Sequence, residues 1–168
     1  MGTEKRNQAG NSTTAPRSFF ARRGGGIGIL RKALREKRPL ILLLDYDGTL
    51  ASIRVEASRA KLEQPVRALL GRLAESPRVR VGIISGRAMD DLLDKVRLEN
   101  VFYAGDDRTD EDAFRALRPL GLTVRVGRTR ETEAEYYVEN RAGVIEILKT
   151  IERGIRPGKR RAETTSAP

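Results

Sequence analysis

Short apolar segments alternate along the chain with segments of helical periodicity. The apolar segments predict buried strands at residues 40–44, 79–84, 101–104 and 122–126. Around them, apolar residues recur three and four positions apart, which predicts helices at residues 29–37, 64–75, 88–97, 110–117 and 140–153. Strands that are apolar throughout and alternate with helices indicate a parallel sheet covered on both faces. The pattern therefore predicts a three-layer α/β/α fold of the Rossmann-like type.

Charge and polarity divide the chain into three parts. Residues 27–153 carry the apolar pattern and are expected to form one core domain, whereas residues 1–26 and 154–168 are expected to be disordered basic tails. The whole chain has a net charge of +10, but residues 39–148 alone carry −2, so the basicity lies at the ends. Solvated tails explain this most simply, and weak attachment to RNA or to an acidic partner is the alternative. Nucleic acid is not expected as the main partner.

The chain contains no Cys and no His. Their absence excludes a disulfide scaffold, thiolate catalysis and the commonest general base, and it agrees with a cytoplasmic protein. No stretch approaches the roughly 18 consecutive apolar residues that a membrane-spanning helix needs, so no membrane partner is expected. Any catalysis by this chain must therefore use carboxylates, hydroxyls and cations.

Polar residues follow three of the predicted strands at the points where these strands end. In parallel sheets, ligands bind beyond the carboxyl ends of the strands, and these ends lie along one edge. We therefore expect a single polar site, built from three short sequences at residues 45–49, 85–87 and 105–112.

The first of these sequences places two carboxylates on one loop. Asp45 could attack phosphorus and form an aspartyl-phosphate, and Asp47 could protonate the leaving oxygen and then activate water. Gly48 allows a sharp turn, and the Thr49 hydroxyl can donate a hydrogen bond to a phosphoryl oxygen. The alternative is an ordinary turn, because Asp-Gly is a common turn dipeptide.

The second sequence offers a small hydroxyl, a glycine and a fixed positive charge. Ser85 and Arg87 could hold phosphoryl oxygens, and Gly86 permits close approach of the backbone. Taken alone, these three residues would also fit an ordinary helix N-cap after a strand, so their interpretation depends on the neighbouring sequences.

Carboxylates are dense in the third sequence. Side chains this close repel one another and require a cation, and oxygen ligands beside a phosphate suit Mg²⁺. An acidic helix start, favoured by the helix dipole, would explain Asp110 and Asp112 but not Asp106 and Asp107. Together the three sequences predict a metal-dependent phosphoryl site.

These motifs resemble the haloacid dehalogenase superfamily and, within it, the trehalose-6-phosphate phosphatases. The resemblance is close in LLLDYDGTL (42–50), VGIISGRAMDDL (81–92) and GDDRTDEDAF (105–114). It implies hydrolysis of trehalose 6-phosphate, a small sugar phosphate, with Asp45 as nucleophile and Asp47 as acid–base. It also implies Mg²⁺ held by Asp45, the Asp47 carbonyl and Asp106, with Asp107 and Asp110 binding or orienting the metal shell.

Two features depart from the family pattern. Relatives carry a cap domain that reads the sugar, but only residues 88–104 separate Arg87 from Gly105 here, so we expect no cap. The family also supplies a phosphate-binding lysine just after the cap. Lys95, the only lysine in the interval, lies about 10 Å along a helix that runs away from the strand ends. Arg87 or Arg108 is better placed to supply this charge.

Three functions remain open on these grounds. The first is a phosphatase of the trehalose-6-phosphate type. The second is a capless phosphatase with an open site, acting on a larger phosphorylated ligand or on small esters without preference, because an open site neither excludes water nor reads a disaccharide. The third is a binding or regulatory remnant without turnover, docking on a trehalose-phosphate synthase.

Overall fold

A computed structural model describes residues 15–36, 39–51, 62–84 and 100–156. These residues form six strands, four α-helices and one turn of 3-10 helix. In chain order they are β1 Arg17–Ser18, α1 Gly26–Arg35, β2 Leu40–Leu44, α2 Gln64–Ala74, β3 Val79–Ile83, β4 Val101–Gly105, the 3-10 turn Arg108–Asp110, α3 Glu111–Leu117, β5 Gly121–Val126, β6 Tyr136–Val138 and α4 Arg141–Ile155.

The six strands form one parallel sheet in the order β1-β6-β5-β4-β2-β3. Strand β2 lies between β3 and β4, and Leu44 is in register with both Ile83 and Ala104. The carboxyl ends of these three strands are therefore level with one another, and the chain leaves all three at the same edge of the sheet.

Helices cover both faces of the sheet, because successive side chains of the apolar strands point to opposite sides. Leu42 and Leu44 pack with α1, α2 and α4 on one face, and Leu43 packs with α3 on the other. The three-layer α/β/α fold predicted from the sequence is confirmed. None of the helices among the described residues is long and apolar enough to cross a membrane.

The structure differs from the sequence prediction at the edge of the sheet. Strands β1 and β6 contain only two and three residues, too few to show an alternating pattern. The Phe19 side chain is completely buried, and its ring makes edge contacts with Phe102 and Tyr136 at centroid distances of 6.0 and 5.9 Å. The packed core therefore begins before the expected boundary at residue 26. At the other end α4 continues to Ile155, and the helix predicted at 88–97 lies outside the described residues.

Candidate active site

The site lies at the carboxyl edge of the sheet, where β2 and β4 end side by side. Asp45 directly follows β2, and its backbone N–H donates a 2.9 Å hydrogen bond to the Ala104 carbonyl of β4. Asp106 directly follows β4. Pairing of β2 with β4 therefore brings together Asp45 and Asp106, the first polar residues of two of the three predicted site sequences.

The loop after β2 is a tight turn closed by its own backbone. The N–H groups of Leu50 and Ala51 donate to the Tyr46 carbonyl at 3.0 and 2.8 Å, and the Gly48 N–H donates to the Ala51 carbonyl at 2.9 Å. Gly48 has a φ of +80°, a conformation that side chains disfavour. A Cβ atom at this position would also overlap with the Asp106 carboxylate. Glycine is therefore required both for the turn and for the close approach of the two loops.

Three carboxylates converge beside this turn. One oxygen each of Asp45, Asp106 and Asp110 lies within 4.8 Å of the other two, and Asp110 is fully buried. Hard oxygen ligands at this spacing suit a divalent cation such as Mg²⁺. The residues present therefore fit the metal that the sequence motifs imply.

The electrostatics of the cluster favour a bound cation. Burial, followed by the charges of Asp110 and Asp106, raises the pKa of Asp45 to about 7. Burial and the charges of Asp110 and Asp107 also raise the pKa of Asp106, which Arg125 partly opposes. Asp45 Oδ2 is buried and has no hydrogen-bond partner among the described residues. A positive ion would offset the repulsion and give this oxygen a partner.

Asp110 is held in place by both of its carboxylate oxygens. Its Oδ1 accepts a 2.5 Å hydrogen bond from the Tyr103 hydroxyl, and its Oδ2 accepts a 2.9 Å bond from the Asp107 N–H. A Cβ atom on Gly105 would overlap with the Asp110 carboxyl group, so glycine is needed at the end of β4 as well. Tyr103 does not stand out in the sequence, because it resembles any other large residue of a buried strand.

Arg125 is a second residue that the sequence motifs do not reveal. It is the charged residue of β5, in register with Gly105, and its side chain is only 16% exposed. The guanidinium donates to the Asp107 carbonyl at 2.8 Å and to Glu111 at 2.7 Å. Glu111 in turn accepts from the Thr132 hydroxyl and the Glu133 N–H. The signal that could have identified Arg125 is a lone charge within an otherwise apolar strand.

The remaining residues predicted for the site lie in different places. Thr49 is fully buried, and its hydroxyl faces the carboxylates, 3.5 Å from Asp106 Oδ1. Asp47 and Asp107 are exposed, and neither joins the cluster of three carboxylates. The Asp107 side chain instead accepts from the Thr109 N–H and caps the 3-10 turn. The second predicted sequence, Ser85, Gly86 and Arg87, lies outside the described residues, as does Lys95.

Part of the chain matches a known protein family. Residues 43–104 match the model of the family described as trehalose-phosphatase. Trehalose 6-phosphate phosphatase RA3 of Zea mays is 35% identical over 86 residues, which are 51% of this chain and 23% of the maize protein. The match thus spans less than a quarter of that relative's length.

Solved structures show the same fold. A trehalose-6-phosphate phosphatase of Aspergillus fumigatus aligns over 83% of this chain and 100% of its own, with a TM-score of 0.63 and 17% identity. The 3-deoxy-D-manno-octulosonate 8-phosphate phosphatase of Moraxella catarrhalis aligns over 76% of this chain and 92% of its own, with a TM-score of 0.52 and 19% identity. The latter was solved in complex with magnesium, phosphate and the sugar acid. The predicted resemblance is confirmed: residues 43–104 match the trehalose-phosphatase family model, and the described residues share their α/β fold with phosphatases of known structure.

Proposed function

We propose that the chain is a Mg²⁺-dependent phosphate-monoester hydrolase of the trehalose-6-phosphate phosphatase type. The observation that carries the proposal is the convergence of Asp45, Asp106 and Asp110 within 4.8 Å at the carboxyl edge of the sheet. The trehalose-phosphatase match over residues 43–104 supports trehalose 6-phosphate as substrate, with trehalose and phosphate as products.

The proposed chemistry rests on the two carboxylates of the loop after β2. Asp45 attacks phosphorus and forms an aspartyl-phosphate, while the bond between phosphorus and the sugar oxygen breaks. Asp47 gives its proton to that oxygen and later takes one from the water that attacks phosphorus, which releases phosphate and restores the Asp45 carboxylate. The exposed side chain of Asp47, two residues beyond Asp45 on the same loop, suits contact with both the leaving group and water.

The proposed ligands of Mg²⁺ are Asp45, Asp106 and the carbonyl of Asp47. Asp110 is better suited to orient than to ligate, because Tyr103 and the Asp107 N–H already occupy its two oxygens. Asp107 is likewise engaged as a cap. When bound, the ion would neutralise the negative charge that gathers where a phosphate meets the carboxylates. The magnesium and phosphate bound in the Moraxella catarrhalis structure of the same fold support a Mg²⁺ site of this kind.

The residues proposed to bind phosphate come mainly from the sequence motifs. Ser85, Gly86 and Arg87 stay the predicted phosphate-binding residues at the end of β3. The Thr49 hydroxyl, which faces the carboxylates, is proposed to hold Asp106 and Asp45 in place and to reach phosphate only when the cluster binds its ion. Arg125 adds a positive charge beside the loop after β4 and partly opposes the rise in the pKa of Asp106.

A second candidate function is a capless phosphatase with a broad or macromolecular substrate range. It is favoured by the short connection between β3 and β4, which contains residues 84–100 only. A segment of this length has room for a helix but not for a domain that encloses a disaccharide.

Release of phosphate from a panel of substrates distinguishes the candidates. The panel contains trehalose 6-phosphate, glucose 6-phosphate and p-nitrophenyl phosphate, each measured with Mg²⁺ and with EDTA. A clear preference for trehalose 6-phosphate supports the first candidate, and equal kcat/KM on all three supports the second. Binding of Mg²⁺ without release from any substrate would contradict both and favour a regulatory remnant, for which a trehalose-phosphate synthase is the partner to test.

A further inference from the structure

Two basic segments of the chain lie side by side on one face of the fold. Helix α1 lies beside the carboxyl-terminal half of α4, and the helices approach so closely that a Cβ atom on Gly154 would lie 2.8 Å from Leu34 Cδ1. Helix α1 carries three cations and no acidic residue, and residues 149–156 of the α4 end carry three cations and one acidic residue. Charges that are far apart in the sequence therefore share a surface, on the helical layer and not at the edge that carries the carboxylate cluster.

The segment that leads into and forms α1 is unusually one-sided in charge. Residues 20–35 contain five cations and no acidic residue, and all five are exposed: Arg22, Arg23, Arg31, Lys32 and Arg35. None of the five makes an ion pair with any part of the chain that the structure describes. The same segment holds two of the three exposed large apolar residues of the described ranges, Phe20 at 41% and Ile29 at 51% exposure.

A groove of about 490 Å³ runs between α1 and α4 on this face. Apolar atoms of Phe20, Ile27 and Leu34 line it, and the guanidinium groups of Arg31 and Arg35 border it one helical turn apart. The acidic residue of the lining, Glu146, is already neutralised by Arg153 at 2.5 Å. The groove thus combines an apolar floor with a border that carries unpaired positive charge.

We propose that this α1–α4 groove binds an acidic amphipathic helix of a partner protein. An apolar side chain of the partner would fill the space over Ile27 and Leu34, and carboxylates one turn apart on the partner would pair with Arg31 and Arg35. Grooves of this kind hold helices through apolar anchors, and complementary charge sets the encounter rate and the specificity. An anionic lipid surface is flat and would leave the groove empty, and a nucleic acid has no apolar side chain to place on its floor.

The test uses the full chain and a fluorescein-labelled synthetic peptide of 18 residues, with Leu on one helical face and Glu on the other. Fluorescence anisotropy gives its affinity at about 0.1 M salt, where exposed charges are partly screened. We expect binding that weakens at least about tenfold in Arg31→Glu/Arg35→Glu and severalfold in Phe20→Ser. The matched control Arg67→Glu/Arg80→Glu, on exposed residues of α2 and β3, should bind as the wild type does.

Three results would overturn the proposal. If the control variant weakens peptide binding equally, the peptide is attracted by the net charge of the protein alone. Equal binding of a peptide in which Ser replaces every Leu would remove the role of the apolar floor. The protein could also bind phosphatidylserine vesicles or duplex RNA more strongly than the peptide. If the Arg31→Glu/Arg35→Glu variant loses that binding, the face belongs to a lipid or nucleic-acid partner instead.

Discussion

Gly48 and Asp106 approach each other so closely that no side chain fits between them. Gly48 belongs to the turn after β2 and has a φ of +80°, and the Asp106 carboxylate occupies the space that a Cβ atom of Gly48 would fill. This contact interlocks the loop that carries Asp45 with the loop that carries Asp106. The positions of the two carboxylates relative to each other are therefore set by the backbone as well as by side-chain bonds.

Replacing Gly48 with Ala should separate the two loops. We expect a loss of about 1–3 kcal/mol in the free energy of unfolding, because Ala disfavours this φ and its Cβ displaces Asp106. Affinity for Mg²⁺ should fall with it. Urea denaturation measures the first quantity and calorimetric titration the second.

Gly71→Ala is the matched control, since Gly71 lies within α2 and a Cβ atom there meets no atom within 4 Å. It should leave Mg²⁺ binding unchanged and stabilise the protein by about 0.5–1 kcal/mol, the difference in helix propensity. A Gly48→Ala variant that unfolds and binds Mg²⁺ like the wild type would contradict the interlocked arrangement.

Tyr103→Phe tests whether a buried tyrosine orients Asp110. Removal of the hydroxyl leaves Asp110 Oδ1 without its 2.5 Å hydrogen bond in a fully buried position, which should cost about 1–3 kcal/mol of stability. Mg²⁺ affinity should fall about tenfold or more, as is usual when a group that orients metal ligands is lost. Tyr137→Phe on β6 serves as control, and an equal effect of the two variants would argue against a specific role of Tyr103.

Lys at position 125 should restore only part of the stability and Mg²⁺ affinity that Arg125 provides. Arg125→Ala removes both the bond to the Asp107 carbonyl and the ion pair with Glu111, and leaves a partly buried carboxylate unpaired. We expect Mg²⁺ affinity to drop severalfold and stability by about 2–3 kcal/mol. Lys can restore the charge but not both hydrogen bonds at their present angles, so Arg125→Lys should recover less than half of the loss. Full recovery would show that only the charge matters.

The raised pKa of Asp45 predicts how the metal-free protein responds to pH. A carboxyl group whose pKa is higher in the folded than in the unfolded state contributes stability at low pH and loses it as pH rises. For Asp45 this loss should occur between about pH 4 and pH 7. In EDTA, the free energy of unfolding of Asp45→Asn, compared with that of the wild type, should therefore rise by about 1–2 kcal/mol between pH 5 and pH 8. This value is reduced because Asp45 is partly exposed to solvent.

Thermal unfolding across this pH range measures the difference, with the exposed Glu131→Gln as control. Saturating Mg²⁺ should abolish the advantage of Asp45→Asn, because the ion takes over the neutralisation of the wild-type carboxylates. A stability difference that stays constant from pH 5 to pH 8 would contradict the raised pKa.

The layered fold could be predicted from the sequence because four of its strands are largely apolar, which is typical of a covered parallel sheet. The short strands β1 and β6 could not, since Arg17–Ser18 and Tyr136–Val138 are too short to show a period and owe their place to neighbours such as Phe19. Tertiary pairing, and not local preference, holds them in the sheet.

The candidate site shows the same division. Asp45 and Asp106 could be predicted as neighbours, because strand ends of a parallel sheet meet at one edge. The hydrogen bonds of Tyr103 and Arg125 could not, since they join residues of different strands and loops whose register the sequence does not reveal. Nor does the sequence show that Asp107 caps the 3-10 turn while Asp110, three residues on, points into the cluster.

The most direct test of the account is Mg²⁺-dependent release of phosphate from trehalose 6-phosphate by the wild type and by Asp45→Asn, with Asp112→Asn as control. Asp112 is an exposed carboxylate of α3 that pairs with Arg115 and lies outside the cluster. We expect release by the wild type and by Asp112→Asn that EDTA abolishes, and a fall in kcat of about a thousandfold or more in Asp45→Asn. Equal rates for the wild type and Asp45→Asn would contradict the proposed role of Asp45 as the nucleophile.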